Sequence, residues 1–156
     1  MGAGKTTVGR RLAKKLGWSF IDLDEEIERH ERQTVADIFK TYGESRFRKL
    51  EHRYLKDLSS SHQAVIALGG GAFISPENRE IADNTGLTIW LKVSFPKLGL
   101  RVKIDGTRPN FADPDKAKVL FEMREPFYSM AKVHVSTDDG TPDSVADEII
   151  GMLQKP

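Results

Sequence analysis

A single α/β domain built on a mainly parallel sheet is predicted by three features of the sequence. Short β-branched or apolar runs alternate with longer amphipathic stretches, and glycines stand where those stretches should stop. The run at 64–68 (AVIAL) is wholly apolar, as in a strand covered on both faces. A chain of 156 residues suits one domain, here 1–156, and 38% apolar with 30% charged residues is enough to bury a core.

The elements follow in order. Residues 5–16 read as a helix with Val8, Leu12, Ala13 and Leu16 on one face and Gly17 as its stop. Residues 19–23 (SFIDL) form a strand, and 25–31 a polar helix. A helix over 35–42 ends at Gly43, and a longer one over 44–58 carries Phe47, Leu50, Tyr54 and Leu58 as a buried stripe. Three glycines follow the strand at 64–68 directly, then come a capped helix at 76–84 and a strand at 87–93 (LTIWLKV). Residues 96–103 are helical. Residues 104–115, with Gly106, Pro109 and Pro114, read as a loop. A helix over 116–131, interrupted near Pro126, a strand at 133–136 and an amphipathic helix at 142–153 complete the chain.

Composition excludes several function classes. Lys plus Arg number 24 and Asp plus Glu 23, for a net charge of +1, which removes the electrostatic case for bulk nucleic-acid or anionic-membrane binding. The absence of cysteine excludes disulfides, thiolate catalysis and Cys-ligated metals. No apolar run approaches the roughly 18 residues of a membrane span, and the N-terminus lacks a signal-peptide stretch, so the cytoplasm is expected. His30, His52, His62 and His134 show no metal-ligand spacing.

Chemistry enters with Gly2-Ala3-Gly4-Lys5-Thr6-Thr7, the second half of the P-loop pattern G-x-x-x-x-G-K-[ST]. Glycines let backbone N–H groups surround phosphate oxygens, and the following helix presents its positive end. Lys5 would reach the terminal phosphates of ATP, and the Thr6 hydroxyl would ligate Mg2+. The pattern's first glycine, and the strand that delivers the loop, would fall upstream of Met1. A start assigned at an internal methionine, or a fragment, would explain that. Low stability and weak activity are therefore expected of 1–156 as written.

The ordered pieces GAGKTTVGRRLAKKLG, FIDLDEEIE, ADIFKTYGESRFRKLE, LGGGA, RxxxDxxRP (Arg101 to Pro109) and REPFY together resemble the shikimate kinase family over nearly the whole chain. The resemblance implies a three-layer P-loop kinase fold with parallel strand order 2-3-1-4-5, here without its first strand, and a mobile lid at about 104–115. It implies transfer of the γ-phosphoryl of ATP to the 3-hydroxyl of shikimate, a step of aromatic amino-acid biosynthesis. A monomer acting on small molecules, with no nucleic-acid or membrane partner, is expected. One departure stands in the lid, where the usual RPLL is Arg108-Pro109-Asn110-Phe111.

By resemblance, Asp22 lies near the metal with Thr6, and Asp24 binds the substrate hydroxyls and takes the proton; on the residues alone, Asp24 reads as the cap of the helix starting at Glu25. Shikimate carries a carboxylate, which calls for forked guanidinium donors, and Arg48 and Arg124 match the family's pair. Arg48 also has a simpler reading as an i,i+3 partner of Glu51, which would fix its orientation. Phe39 and Phe47 are core aromatics that in the family also flank the substrate ring. Gly69 corresponds to a position near the γ-phosphate, with Gly70 and Gly71 against shikimate. Arg108 matches a lid arginine over the phosphates, Arg101 a residue that stacks on adenine, and Pro142 the segment closing the base's other side. Alternatives are a related P-loop kinase for gluconate or a nucleoside monophosphate, or a non-catalytic domain of the same fold.

Overall fold

The computed structural model describes residues 2–105 and 113–154. In chain order these form α1 (Lys5–Leu16), β1 (Ser19–Asp22), α2 (Leu23–Glu31), α3 (Val35–Leu58), β2 (Ala64–Ala67), a 3-10 turn (Ala72–Ile74), α4 (Pro76–Thr85), β3 (Ile89–Lys92), α5 (Phe95–Asp105), α6 (Pro114–Tyr128), β4 (Val133–Ser136) and α7 (Pro142–Leu153). The expected α/β alternation is present, and α1, β4 and α7 have the expected bounds.

Three expectations about caps and breaks are corrected. Asp22, not Asp24, caps α2: its Oδ1 accepts the Asp24 N–H at 3.1 Å, so the helix starts at Leu23 and the strand ends one residue early. The loop expected at 104–115 is shorter at both ends. Helix α5 continues through Asp105, and Asp113 caps α6 by accepting N–H bonds from Asp115 (3.1 Å) and Lys116 (3.2 Å). Pro114 is thus the first residue of a helix rather than a breaker, because the N–H it lacks would have no partner there. Residues 106–112, with Arg108, lie outside the described residues.

Pro126 does not interrupt α6 either. The bond it cannot make would go to the Glu122 carbonyl, and both residues are exposed, so water can serve that group. The long stretch at 35–58 is one element with a kink at Gly43 (φ 80°, ψ 171°), where the sequence places its stop.

The sheet is in two halves. β1 and β2 pair in parallel from Ser19↔Ala64 to Asp22↔Ala67, and β3 and β4 from Ile89↔Val133 to Lys92↔Ser136. Among the described residues β2 and β3 are not joined to each other. A cavity of about 520 Å³ separates them, walled by Val65 and Ile66 of β2, Ile89 and Leu91 of β3, Leu12 of α1 and Ile149 of α7. The split falls where the order 2-3-1-4-5 has its first strand. It also explains why Ala64, Val65 and Ile66 are only partly buried, against the expectation of a strand covered throughout: one edge faces the cavity instead of a neighbour. Trp18, Leu87 and Leu153, each 37–43% exposed, line the same cavity.

A core lies to each side. One joins Val8 and Leu12 of α1 to Leu91, Leu98, Val135 and Ile149. The other packs Leu23 and Ile27 of α2 against Ile38, Phe47, Leu50 and Tyr54 of α3, with Leu58 partly buried at its edge, as the predicted stripe requires. Among the described residues no helix is long and apolar enough to cross a membrane.

Candidate active site

The loop before α1 is shaped for an anion. Gly2 and Gly4 have φ of 61° and 86°, left-handed values that side chains resist, and Gly4 stands at the N-cap of α1. No side chain caps this end and its first turn holds no acidic residue, so the positive dipole end of the helix suits an anion. Lys5 begins the helix and faces the carboxylate of Asp24.

Beside the loop, Thr6 Oγ1 donates to Asp22 Oδ2 at 2.9 Å. This brings together the two residues assigned to the metal. A hydroxyl and a carboxylate are hard oxygen donors of the kind Mg2+ takes, so the donor set fits such an ion.

A second group of charges gathers around Asp24, at the carboxyl end of β1. Arg48 donates from Nη1 to Glu51 Oε2 at 2.5 Å, and from Nε and Nη2 to Glu44 Oε1 at 3.1 and 2.8 Å. Glu51 is only 1% exposed, whereas the Glu44 side chain is 65% exposed. The i,i+3 pair with Glu51 therefore exists, and it fixes the guanidinium from its buried side. The guanidinium lies 5.9 and 5.6 Å from the ring centroids of Phe39 and Phe47, whose own centroids are 4.8 Å apart.

Burial raises the Asp24 carboxyl above its ordinary value, and Asp22 adds to this, against the pull of Lys5 and Arg48. Burial likewise raises Glu51, opposed by Arg48, with Asp24 raising it further and Arg124 lowering it. Among the described residues, three buried side-chain atoms have no hydrogen-bond partner: Asp24 Oδ1, Glu51 Oε1 and Arg124 Nε. Unpaired buried polar atoms are uncommon, and three at one place mark a site built to receive polar groups.

The triple glycine packs straight onto this cluster. A Cβ at Gly69 would come within 2.6 Å of Asp24 Oδ1, and one at Gly71 would collide with the Arg48 guanidinium. Tyr128, at the end of α6, donates its hydroxyl to the Gly70 carbonyl at 2.5 Å.

Lys5, Asp24, Arg48 and Gly69 thus meet at one place, and Arg124 acts on it from α6. Arg101 and Pro142 stand elsewhere, on either side of the loop after β4. There the Arg101 guanidinium bonds Thr137, at 3.1 Å to Oγ1 and also to its carbonyl, and Pro142 is the first residue of α7. Glu44 and Tyr128 stand in the strings ADIFKTYGESRFRKLE and REPFY but carry no role in the sequence reading, although Tyr128 follows Arg124 by four positions, on the same helix face.

The shikimate kinase family profile matches residues 1–154. A shikimate kinase of Persephonella marina is 39% identical over 155 residues, 99% of this chain and 94% of that protein. The structure of the Acinetobacter baumannii shikimate kinase in complex with shikimate superposes with a TM-score of 0.90 at 37% identity, covering 98% of this chain and 88% of that one. A gluconokinase from Sinorhizobium meliloti 1021 reaches a TM-score of 0.61 at 20% identity, covering 98% and 86% of the two chains, and shares the fold alone.

Proposed function

This chain belongs to the shikimate kinase family, and on that premise we propose that it transfers the γ-phosphoryl of ATP to the 3-hydroxyl of shikimate, in the synthesis of chorismate and the aromatic amino acids. The observation that supports this most is the meeting of a phosphate-binding helix end with a buried carboxylate and an arginine held ready from behind.

The family's pattern and the contacts around Asp24 support the following roles. The amides of 2–7 hold the phosphates, and Lys5 places its charge where the transferred group gains negative charge. Thr6 and Asp22 would hold Mg2+, and the ion would supply charge to neutralise the phosphates. Asp24 orients the attacking hydroxyl and accepts its proton, and a carboxyl raised by burial is better matched to that task near neutral pH. Arg48 and Arg124 bind the shikimate carboxylate, with Gly69, Gly70 and Gly71 giving the ring close access and Phe39 and Phe47 backing Arg48. Arg101, Pro142 and Arg108 are the residues that the family's pattern assigns to the nucleotide. The enzyme acts as a monomer in the cytoplasm.

An ADP-release assay over a panel of acceptors tests the assignment. Shikimate should be turned over at least about a hundredfold more efficiently than gluconate or AMP, since neither satisfies a site built for a cyclic carboxylic acid. Preference for gluconate or AMP would favour a related kinase, and ADP release from no acceptor the non-catalytic reading.

Two variants probe the carboxylate site. Arg124→Ala should weaken shikimate binding by about 10- to 100-fold, the cost of losing a charged hydrogen bond, and leave ATP binding within twofold. Equal loss of both would remove Arg124 from the site. Glu44→Gln should act in the opposite direction. Glu44 occupies the Nε–Nη2 side of Arg48 that the substrate carboxylate needs, but an exposed pair contributes only about 0.2–1 kcal/mol. Its removal should lower the shikimate KM by about 1.5- to 5-fold, and an unchanged or higher KM would show that Arg48 binds by another face.

A further inference from the structure

We propose that Tyr128 is a positioning residue for shikimate: its hydroxyl fixes the Gly70 peptide and, through α6, sets that peptide against Arg124. The inference rests on the shikimate reading above and extends it to a residue outside the carboxylate, phosphate and lid groups.

The glycine turn shows why a remote donor is needed. Two of its three carbonyls are taken up locally, since Gly69 O accepts the Ala72 N–H at 3.2 Å and Gly71 O accepts the Ile74 N–H at 3.1 Å. The Gly70 carbonyl between them is bonded by a side chain 58 residues further along the chain. A turn of three glycines has no side chains of its own to hold its peptides in place, and each peptide that can rotate carries an N–H the substrate would use. One hydroxyl on a rigid helix removes that freedom at the middle peptide.

Tyr128 is suited to this by its position. Four residues separate it from Arg124, so the two project from one face of α6 at adjacent turns. Burial raises the phenol above its ordinary value, Arg124 pulls it down and is close enough to bond it, and Arg48 and Glu51 also act on it. The hydroxyl therefore stays protonated as a donor. It stands among the groups assigned to the substrate, where Arg124 Nε is buried without a partner. The turn is fixed from both sides: Arg48 and Asp24 press on Gly71 and Gly69, and Tyr128 holds Gly70.

Tyr128→Phe keeps the ring and removes only the donor. Steady-state kinetics should show the shikimate KM raised about 5- to 10-fold, with kcat and the ATP KM within twofold. Amide exchange should accelerate at Ala72 and Ile74, whose bonds define the turn, and stay unchanged at Val133 and Thr137 beside β4. A shikimate KM equal to that of the unmodified enzyme overturns the proposal. So does a variant in which melting temperature and amide protection fall throughout the protein while both KM values rise together, since that marks a purely structural tyrosine. Failure of the underlying reading would look different: the unmodified enzyme itself would neither bind nor phosphorylate shikimate.

Discussion

Asp24→Asn is expected to reduce kcat by about 10²–10⁴-fold while making the protein more heat-stable at neutral pH. The two effects share one cause. Asp24 is buried with Oδ1 unpartnered, and its carboxyl is raised by that burial and by Asp22. A carboxyl raised on folding binds its proton more tightly in the folded state, so its contribution to stability is full below its unfolded value, near 3.8, and falls as pH rises through the higher folded value. At pH 7 the charged form therefore weakens the fold, and asparagine, which stays neutral, does not. A gain of about 1 kcal/mol corresponds to roughly 2–4 °C for a domain of this size. The difference between the two proteins should vanish near pH 3–4 and grow towards pH 7, as thermal melts over that range would record. A variant less stable than its parent at pH 7 would mean that the attraction of Lys5 and Arg48 for the Asp24 charge outweighs its burial. Unchanged turnover would remove Asp24 from the chemistry.

The second large effect concerns the divided sheet. Joining a segment of five or six apolar residues, ending in glycine, to the amino end should stabilise the protein by about 2–3 kcal/mol, or roughly 5–10 °C in melting temperature. The cavity between β2 and β3 is apolar along most of its length, and its upper end reaches Lys5, Gly69 and Gly70. A strand laid there would pair with two open edges at once and cover Trp18, Leu87 and Leu153. Each edge group released from an unsatisfied state is worth about 1–3 kcal/mol, offset by about 1.5 kcal/mol for each residue ordered. Activity should rise with stability, because the same strand would end at the phosphate loop and fix Gly2 and Gly4. A segment of equal length carrying alternate lysines should do neither. An unchanged melting temperature with the apolar segment would show that the two half-sheets do not accept a strand between them.

Much of this arrangement was legible in the sequence, and the exceptions have physical reasons. Helices with a clear apolar face and a terminal glycine, such as α1, were placed to the residue, because burial and capping act there in the same direction. The start of α2 was misplaced because Asp22 and Asp24 are equally good capping residues by type, and only the backbone decides which carboxylate reaches the free amides. Pro114 and Pro126 read as breaks, yet one is a helix start and the other lies on a solvent face where the missing bond costs little. In the site, Lys5, Thr6, Asp24 and Arg48 belong to recognisable strings. Tyr128 and Glu44 also lie in such strings, REPFY and ADIFKTYGESRFRKLE, but their roles depend on contacts with Gly70 and with the outward side of Arg48, which no string shows.

Titration calorimetry with shikimate and with Mg2+–ATP, on the protein as it stands and with the added strand, tests the assignment most directly. One molecule of each should bind per chain, and shikimate should be held through a carboxylate, so that its methyl ester binds at least tenfold more weakly. Heat from ATP alone, with none from shikimate in either form of the protein, would contradict the reading of the Arg48–Arg124 pocket. So would a methyl ester that bound as well as the acid.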